Sequence, residues 1–161
     1  MGMPETAMVL AAGQGKRMRP LSASVPKPLV EVGGRALIDH CLDGLAAVGI
    51  KRAVVNVHHL ADRIESHLNG RISPSIVISD ERDALLETGG GINRALPLLG
   101  DGVFLVRNSD SFWLEGVRPN LAWLAGGWDD EVTNAVTGKL AQGRSCARHE
   151  KEHPAGVARA T

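Results

Sequence analysis

The chain has 161 residues, enough for one domain with its own core, and 43% hydrophobic and 22% charged residues are the proportions of an ordinary soluble globular protein. Lys plus Arg equals Asp plus Glu at 18 each, so no global basic field points to nucleic acid. Residues 1–8 lack a secretion-signal pattern, no apolar run is long enough to span a bilayer, and Cys41 and Cys146 fit neither a disulfide framework nor a metal-ligand spacing, so a cytoplasmic location away from membranes is expected.

In chain order, residues 6–12 form a continuous small and apolar run, which predicts a strand buried on both faces of a parallel sheet. Across residues 35–48, Ile38, Cys41, Leu42, Leu45 and Val48 recur at helical spacing, with Gly49 as the stop. Residues 53–57 predict a strand, residues 60–68 a helix ended by Asn69-Gly70, and residues 75–79 a strand around Ile76-Val77-Ile78. Residues 90–99 predict a short helix entered through Thr88-Gly89-Gly90-Gly91. Residues 102–106 predict a fourth strand, and residues 120–124 begin another helix. Strands alternating with helices predict an α/β fold, a Rossmann-like and mostly parallel sheet flanked by helices with right-handed crossovers. Residues 1–130 are read as one nucleotide-binding domain. From Glu131 on, large apolar residues thin to Val132, Val136, Leu140 and Val157, and charge and glycine rise; residues 131–161 are expected to form a divergent tail, solvated or disordered.

The chemistry concentrates near the start. Val9-Leu10-Ala11-Ala12-Gly13-Gln14-Gly15-Lys16-Arg17-Met18-Arg19-Pro20-Leu21 is an apolar run that turns into glycine and then into cations. Backbone N–H groups uncovered by glycine wrap phosphate oxygens, and Lys or Arg neutralises them, which suggests a polyphosphate site over residues 10–27. The alternative is a tight surface turn with a solvated basic face. Between residues 15 and 35, Lys16, Arg17, Arg19, Lys27 and Arg35 face Glu31 alone, a local excess suited to a small anion. A dinucleotide fingerprint fits poorly: Met18 stands at the third glycine, and Asn56 and His58 stand where a ribose-binding acid belongs. A Walker P-loop fails because Arg17 follows Gly15-Lys16.

Three further segments join it. Pro26-Lys27-Pro28 holds a lysine on a stiff backbone, useful where charge must be met at one point, or merely a lysine in a rigid loop. Glu87-Thr88-Gly89-Gly90-Gly91 lets a ring or sugar approach a helix N-terminus closely. Asn108-Ser109-Asp110 follows a buried strand, where the carboxylate would ligate Mg²⁺ on the ligand-binding rim or act as a helix N-cap or turn residue. His58-His59 beside Asp62 point to different sides and are read as rim residues, not ligands. Trp113, Trp123 and Trp128 are read as packing residues, and neither cysteine has a partner suited to a nucleophile.

Leu10 to Leu21 together with Pro26-Lys27-Pro28-Leu29 resembles the pyrophosphorylase motif of sugar-1-phosphate nucleotidyltransferases. Val55-Asn56-Val57-His58-His59-Leu60-Ala61-Asp62, Glu87 to Gly91 and Asn108-Ser109-Asp110 are similar to the N-acetylmuramate-1-phosphate uridylyltransferase branch, with mannose-1-phosphate guanylyltransferase-like proteins as close relatives. The resemblance covers residues 5–130. It implies in-line attack by a sugar 1-phosphate on the α-phosphorus of a nucleoside triphosphate, UTP favoured, with release of pyrophosphate. Leu10, Ala11, Ala12, Gly13, Gly15, Lys16, Gly89 and Gly90 would bind the nucleotide. Arg17 and Lys27 would bind and stabilise the reacting phosphates, and Asp110 would hold Mg²⁺. Lys16 stands where the family often has Thr. Residues beyond 130 do not resemble the family's sugar-pocket strands, and Asp129 and Asp130 do not match its second metal-binding Asp. The chain therefore reads as the nucleotide-binding half with an aberrant end, as a shifted frame would produce. The competing expectations are a nucleotide-binding fragment impaired in catalysis and, less favoured, a dinucleotide-dependent oxidoreductase. Nothing in the sequence bears on oligomeric state.

Overall fold

The computed structural model describes residues 4–15, 20, 24–111, 121 and 155–159. The first strand, β1 (Thr6–Leu10), lies at the centre of a five-stranded sheet. It runs parallel to β4 (Arg52–Val57) on one side and to β6 (Val103–Asn108) on the other, in registers that set Leu10 opposite both Asn56 and Asn108. β5 (Ser75–Asp80) extends the sheet parallel beyond β4, and β7 (Ala155–Arg159) pairs antiparallel with β6, giving the order β5-β4-β1-β6-β7. The sheet is mostly parallel and Rossmann-like, as expected.

Both faces of β1 are covered, which is why its sequence does not alternate. Ala7 and Val9 face one core layer with Val55 and Leu105, where α1 (Leu37–Ala47) brings Ile38, Cys41, Leu42 and Leu45 and α2 (Ala61–Leu68) brings Ile64 and Leu68. Met8 faces the opposite layer with Val54, Phe104 and Val106, covered by Ile92, Ala95 and Leu99 of α3 (Thr88–Leu99). Each buried Val, Leu, Ile, Phe or Met side chain here contributes about 1.5–3 kcal/mol on leaving water, so these two layers hold the site in place.

The boundaries differ from the sequence reading for local reasons. β1 ends at Leu10, because Ala11 and Ala12 turn out of the ladder although both stay buried. α1 starts at Leu37, because Arg35–Ala36 form β3, paired with β2 (Glu31–Val32) across a Gly33-Gly34 turn. Its end is as expected: the Gly49 N–H donates to the Ala46 carbonyl and the Ile50 N–H to that of Leu45, a Schellman stop. α3 already begins at Thr88, so its glycines form the first turn rather than an entry loop, and β6 runs two residues further, to Asn108. A short 3-10 turn, Lys27–Leu29, precedes β2.

Within the expected irregular tail, residues 155–159 form β7, because an antiparallel strand needs only the free backbone edge of β6. Leu121 is helical and buried in the first layer. The rest of residues 112–154, with Trp113, Trp123, Trp128, Asp129 and Asp130, lies outside the described residues, as do Lys16 and Arg17. Among the described residues, no helix is long and apolar enough to cross a membrane.

Candidate functional site

After β1 the chain builds β4 and β5 on one side and then crosses to place β6 on the other. That reversal opens a crevice beyond the carboxyl ends of β1 and β6, the place where open α/β sheets bind ligands. A cavity of about 850 Å³ occupies it. Residues 10–15 form one wall, residues 85–88 another, and Lys27, Pro28, Asn56 and residues 108–110 complete the lining. Of the candidate residues, Leu10, Ala11, Ala12, Gly13, Gly15, Lys27 and Asp110 therefore meet around one space. Gly89 and Gly90 lie in the first turn of α3, directly after the lining residue Thr88, and do not line the cavity themselves.

Lys27 is carried into the cavity by its stiff surroundings. Pro26 holds an extended backbone, Pro28 is buried, and the Leu29 N–H donates to the Pro26 carbonyl. Its ammonium donates to the Asp110 carboxylate at 2.5 Å, with both side chains about one-third exposed (33% and 32%). Asp110 is placed by its neighbour: Ser109 donates both its N–H (3.1 Å) and its hydroxyl (2.7 Å) to the Leu10 carbonyl, tying the end of β6 to the end of β1. Asp110 follows the strand in a turn, not a helix cap, and its carboxylate faces the cavity lysine.

Behind the wall lies a buried polar chain. The Ala11 N–H donates to Asn56 Oδ1 at 2.7 Å, and Asn56 Nδ2 donates to Glu81 Oε1 at 2.8 Å. Glu81 is completely buried, and its Oε2 accepts the Leu86 N–H at 3.3 Å. Gly91 passes so close that a Cβ there would meet Glu81 Oε1 at 2.7 Å and Asn56 Nδ2 at 2.8 Å. This, not an open turn, explains the third glycine. Sequence reasoning missed Glu81, because Asp80-Glu81-Arg82 reads as a solvated charged run; the signals were a polar Asn56 ending an apolar strand and three glycines opening a helix.

Among the described residues, no three His, Cys, Asp or Glu side chains group to hold a metal ion. His58 donates Nδ1–H to the Glu81 carbonyl (2.6 Å), and Asp62 pairs with Arg82 (2.7 Å). Among the described residues, Asp110 and Glu87 are the carboxylates that line the cavity, and Asp110 would suit Mg²⁺ of the kind that takes one or two carboxylates and completes its shell with phosphate oxygens and water. Burial pushes the Cys41 thiol up to about 12, outweighing the pull of Arg107 and Arg71, basic neighbours the sequence did not reveal; Cys146 lies outside the described residues.

Residues 6–121 match the profile of the Nucleotidyl transferase family. The chain belongs to that family. It is 55% identical over 132 residues to N-acetylmuramate alpha-1-phosphate uridylyltransferase of Caulobacter vibrioides, covering 80% of this chain and 54% of that protein. It is 37% identical over 113 residues to mannose-1-phosphate guanyltransferase of Aspergillus fumigatus, covering 65% of this chain and 30% of the relative. The UDP-glucose pyrophosphorylase structure from Acinetobacter baumanii shares the fold at a TM-score of 0.67 and 22% identity, over 73% of this chain and 50% of that one. The chain spans about half the length of the uridylyltransferases it matches. Within the family fold, the cavity beyond β1 and β6 is the described space where the candidate residues converge.

Proposed function

We propose that this chain forms the nucleotide-binding part of a sugar-1-phosphate nucleotidyltransferase that transfers a uridylyl group from UTP to N-acetylmuramate 1-phosphate. The carrying observation is the cavity itself: residues 10–15, glycine-rich after β1, and the Lys27–Asp110 pair line one space at the switch point of the sheet. The 55% identity to a protein named N-acetylmuramate alpha-1-phosphate uridylyltransferase supports a uridylyl donor and N-acetylmuramate 1-phosphate as the pair of substrates; cell-wall sugar recycling in the cytoplasm is the setting proposed with them.

A sugar phosphate oxygen attacks the α-phosphorus, a new P–O bond forms, and the bond from that phosphorus to the α,β-bridging oxygen breaks as pyrophosphate leaves. No proton transfer and no covalent enzyme intermediate are needed, so positioning and charge stabilisation supply the acceleration. Leu10, Ala11, Ala12, Gly13 and Gly15 present backbone groups to the nucleotide, with Gly89 and Gly90 contributing behind Thr88. Lys16 and Arg17 extend the phosphate loop as cations, and Lys27 meets charge at the reacting phosphates. Asp110 would hold Mg²⁺, which when bound neutralises charge on the phosphate oxygens.

Purified protein given Mg²⁺, UTP and the sugar phosphate is expected to release pyrophosphate. Binding of UTP without release would favour the impaired-fragment reading, and tight NADH binding without UTP affinity would overturn both.

A further inference from the structure

We propose that Glu81 is a positioning residue for the nucleotide cavity, acting through Asn56 on the backbone N–H of Ala11 and directly on that of Leu86. The proposal rests on the reading of this cavity as a nucleotide site and assigns it an internal brace. Ala11 and Leu86 belong to two segments that line the same cavity, residues 10–15 and 85–88, which are far apart in the chain. One completely buried carboxylate serves both: Oε1 accepts from Asn56 Nδ2 (2.8 Å), whose Oδ1 accepts the Ala11 N–H (2.7 Å), and Oε2 accepts the Leu86 N–H (3.3 Å).

The backbone of Glu81 is fixed as firmly. Its N–H donates to the Val57 carbonyl at 2.8 Å, and its carbonyl accepts from His58 Nδ1 at 2.6 Å and from the Ala84 N–H at 3.2 Å. Gly91 leaves no room for the carboxylate to shift toward α3. Buried this way, Glu81 does not meet a ligand; it fixes the spacing and direction of the wall groups that do. Burying a carboxylate is expensive unless its hydrogen bonds are complete, so its place behind a ligand wall calls for such a role.

The chain of donors has a polarity that can be tested. Both Glu81 oxygens must accept, because Asn56 Nδ2 and the Leu86 N–H both donate. E81Q therefore turns an amide NH₂ toward one donor. N56D sets a second carboxylate against Glu81. The pair N56D/E81Q restores every bond: the aspartate accepts from Ala11 and from the new glutamine NH₂, and the glutamine oxygen accepts from Leu86.

The experiment measures UTP dissociation constants by calorimetry and the Ala11 and Leu86 amide resonances by NMR, in the full chain and the three variants. Each single variant is expected to weaken UTP about tenfold, the scale of one lost buried hydrogen bond. In each the Ala11 amide should move although Glu81 does not touch it, and the pair should return to within about threefold of the parent. Single variants that bind UTP like the parent with an unmoved Ala11 amide would overturn the proposal. So would a folded pair no better than its singles. Should one single variant fail to fold, recovery of fold, amide position and affinity in the pair still supports the brace, and a pair that folds without them overturns it. A parent chain that does not bind UTP overturns the proposed function instead, and the Ala11 amide then reads the brace by itself.

Discussion

Lys27 and Asp110, 83 residues apart in sequence, share a 2.5 Å ion pair in the lining of the cavity. In the free protein each cancels the other's charge. A triphosphate drawing on Lys27 must therefore compete with Asp110, unless a cation takes over the carboxylate.

That competition sets the sign of two substitutions. Lys27→Ala is expected to lower turnover severely, about a hundredfold or more, the scale of removing one charge-stabilising donor from a reacting group, with the melting temperature nearly unchanged. Asp110→Asn is expected to bind UTP more tightly than the parent in EDTA and to lose the gain from added Mg²⁺. Calorimetry with and without Mg²⁺, beside a pyrophosphate-release assay, reads both; equal metal-free affinity in parent and Asp110→Asn would contradict the competition.

Gly91→Ala and Gly90→Ala should differ although the residues are neighbours in one helix. Alanine favours a helix by about 1 kcal/mol over glycine. At Gly91 the added methyl meets the Glu81 and Asn56 polar atoms at 2.7 and 2.8 Å, and a clash of that kind costs about 1–3 kcal/mol. At Gly90 it meets the Leu86 Cβ at 3.1 Å, a milder contact that a backbone shift of a few tenths of an ångström relieves. Thermal melting should show a fall for Gly91→Ala and little change or a rise for Gly90→Ala.

Asp43 links α1 to the start of β3 and the turn after α2, pairing with Arg71 at 2.5 Å and with Arg35. Partial burial works against its ionisation, but the bonds and charges of Arg71 and Arg35 outweigh this and hold the carboxyl below its ordinary value of 3.8. A depressed folded value means the contribution is present above that ordinary value and is lost as acid protonates the group. The melting-temperature gap between parent and Asp43→Asn should be fullest near neutrality and shrink below about pH 4; a gap that widens in acid would contradict this.

Cys41 is completely buried, and that burial pushes its thiol up to about 12. A thiol reagent at pH 8 is therefore expected to label it only as fast as the protein opens. Peptide mapping with and without urea, which separates Cys41 from Cys146, checks this; fast labelling of Cys41 in the native protein would contradict its burial.

Much of this fold was legible from apolar pattern. The run through Ala7, Met8 and Val9 announced a strand covered on both faces, and Gly49 announced the end of a helix. Lys27 and Asp110 were legible as chemistry but not as a pair, since only the β1–β6 register and the Ser109 bonds to Leu10 bring them together. Glu81 was not legible, because burial of a charge depends on partners from β4 and the start of α3. The Gly33-Gly34 hairpin was passed over because two-residue strands leave no periodicity to read.

The cavity wall at residues 85–88 runs straight into α3, whose layer of Met8, Val54, Ile92, Ala95, Leu99, Phe104 and Val106 is the smaller of the two among the described residues. With fewer buried apolar side chains among the described residues, this face is expected to open more often than the α1 face. A ligand gripping residues 85–88 would then quiet the breathing of a helix whose later turns lie away from it. Amide hydrogen exchange along α3 becomes a remote reporter of occupancy, slowed when the cavity is filled, while exchange in α1 keeps its own pace.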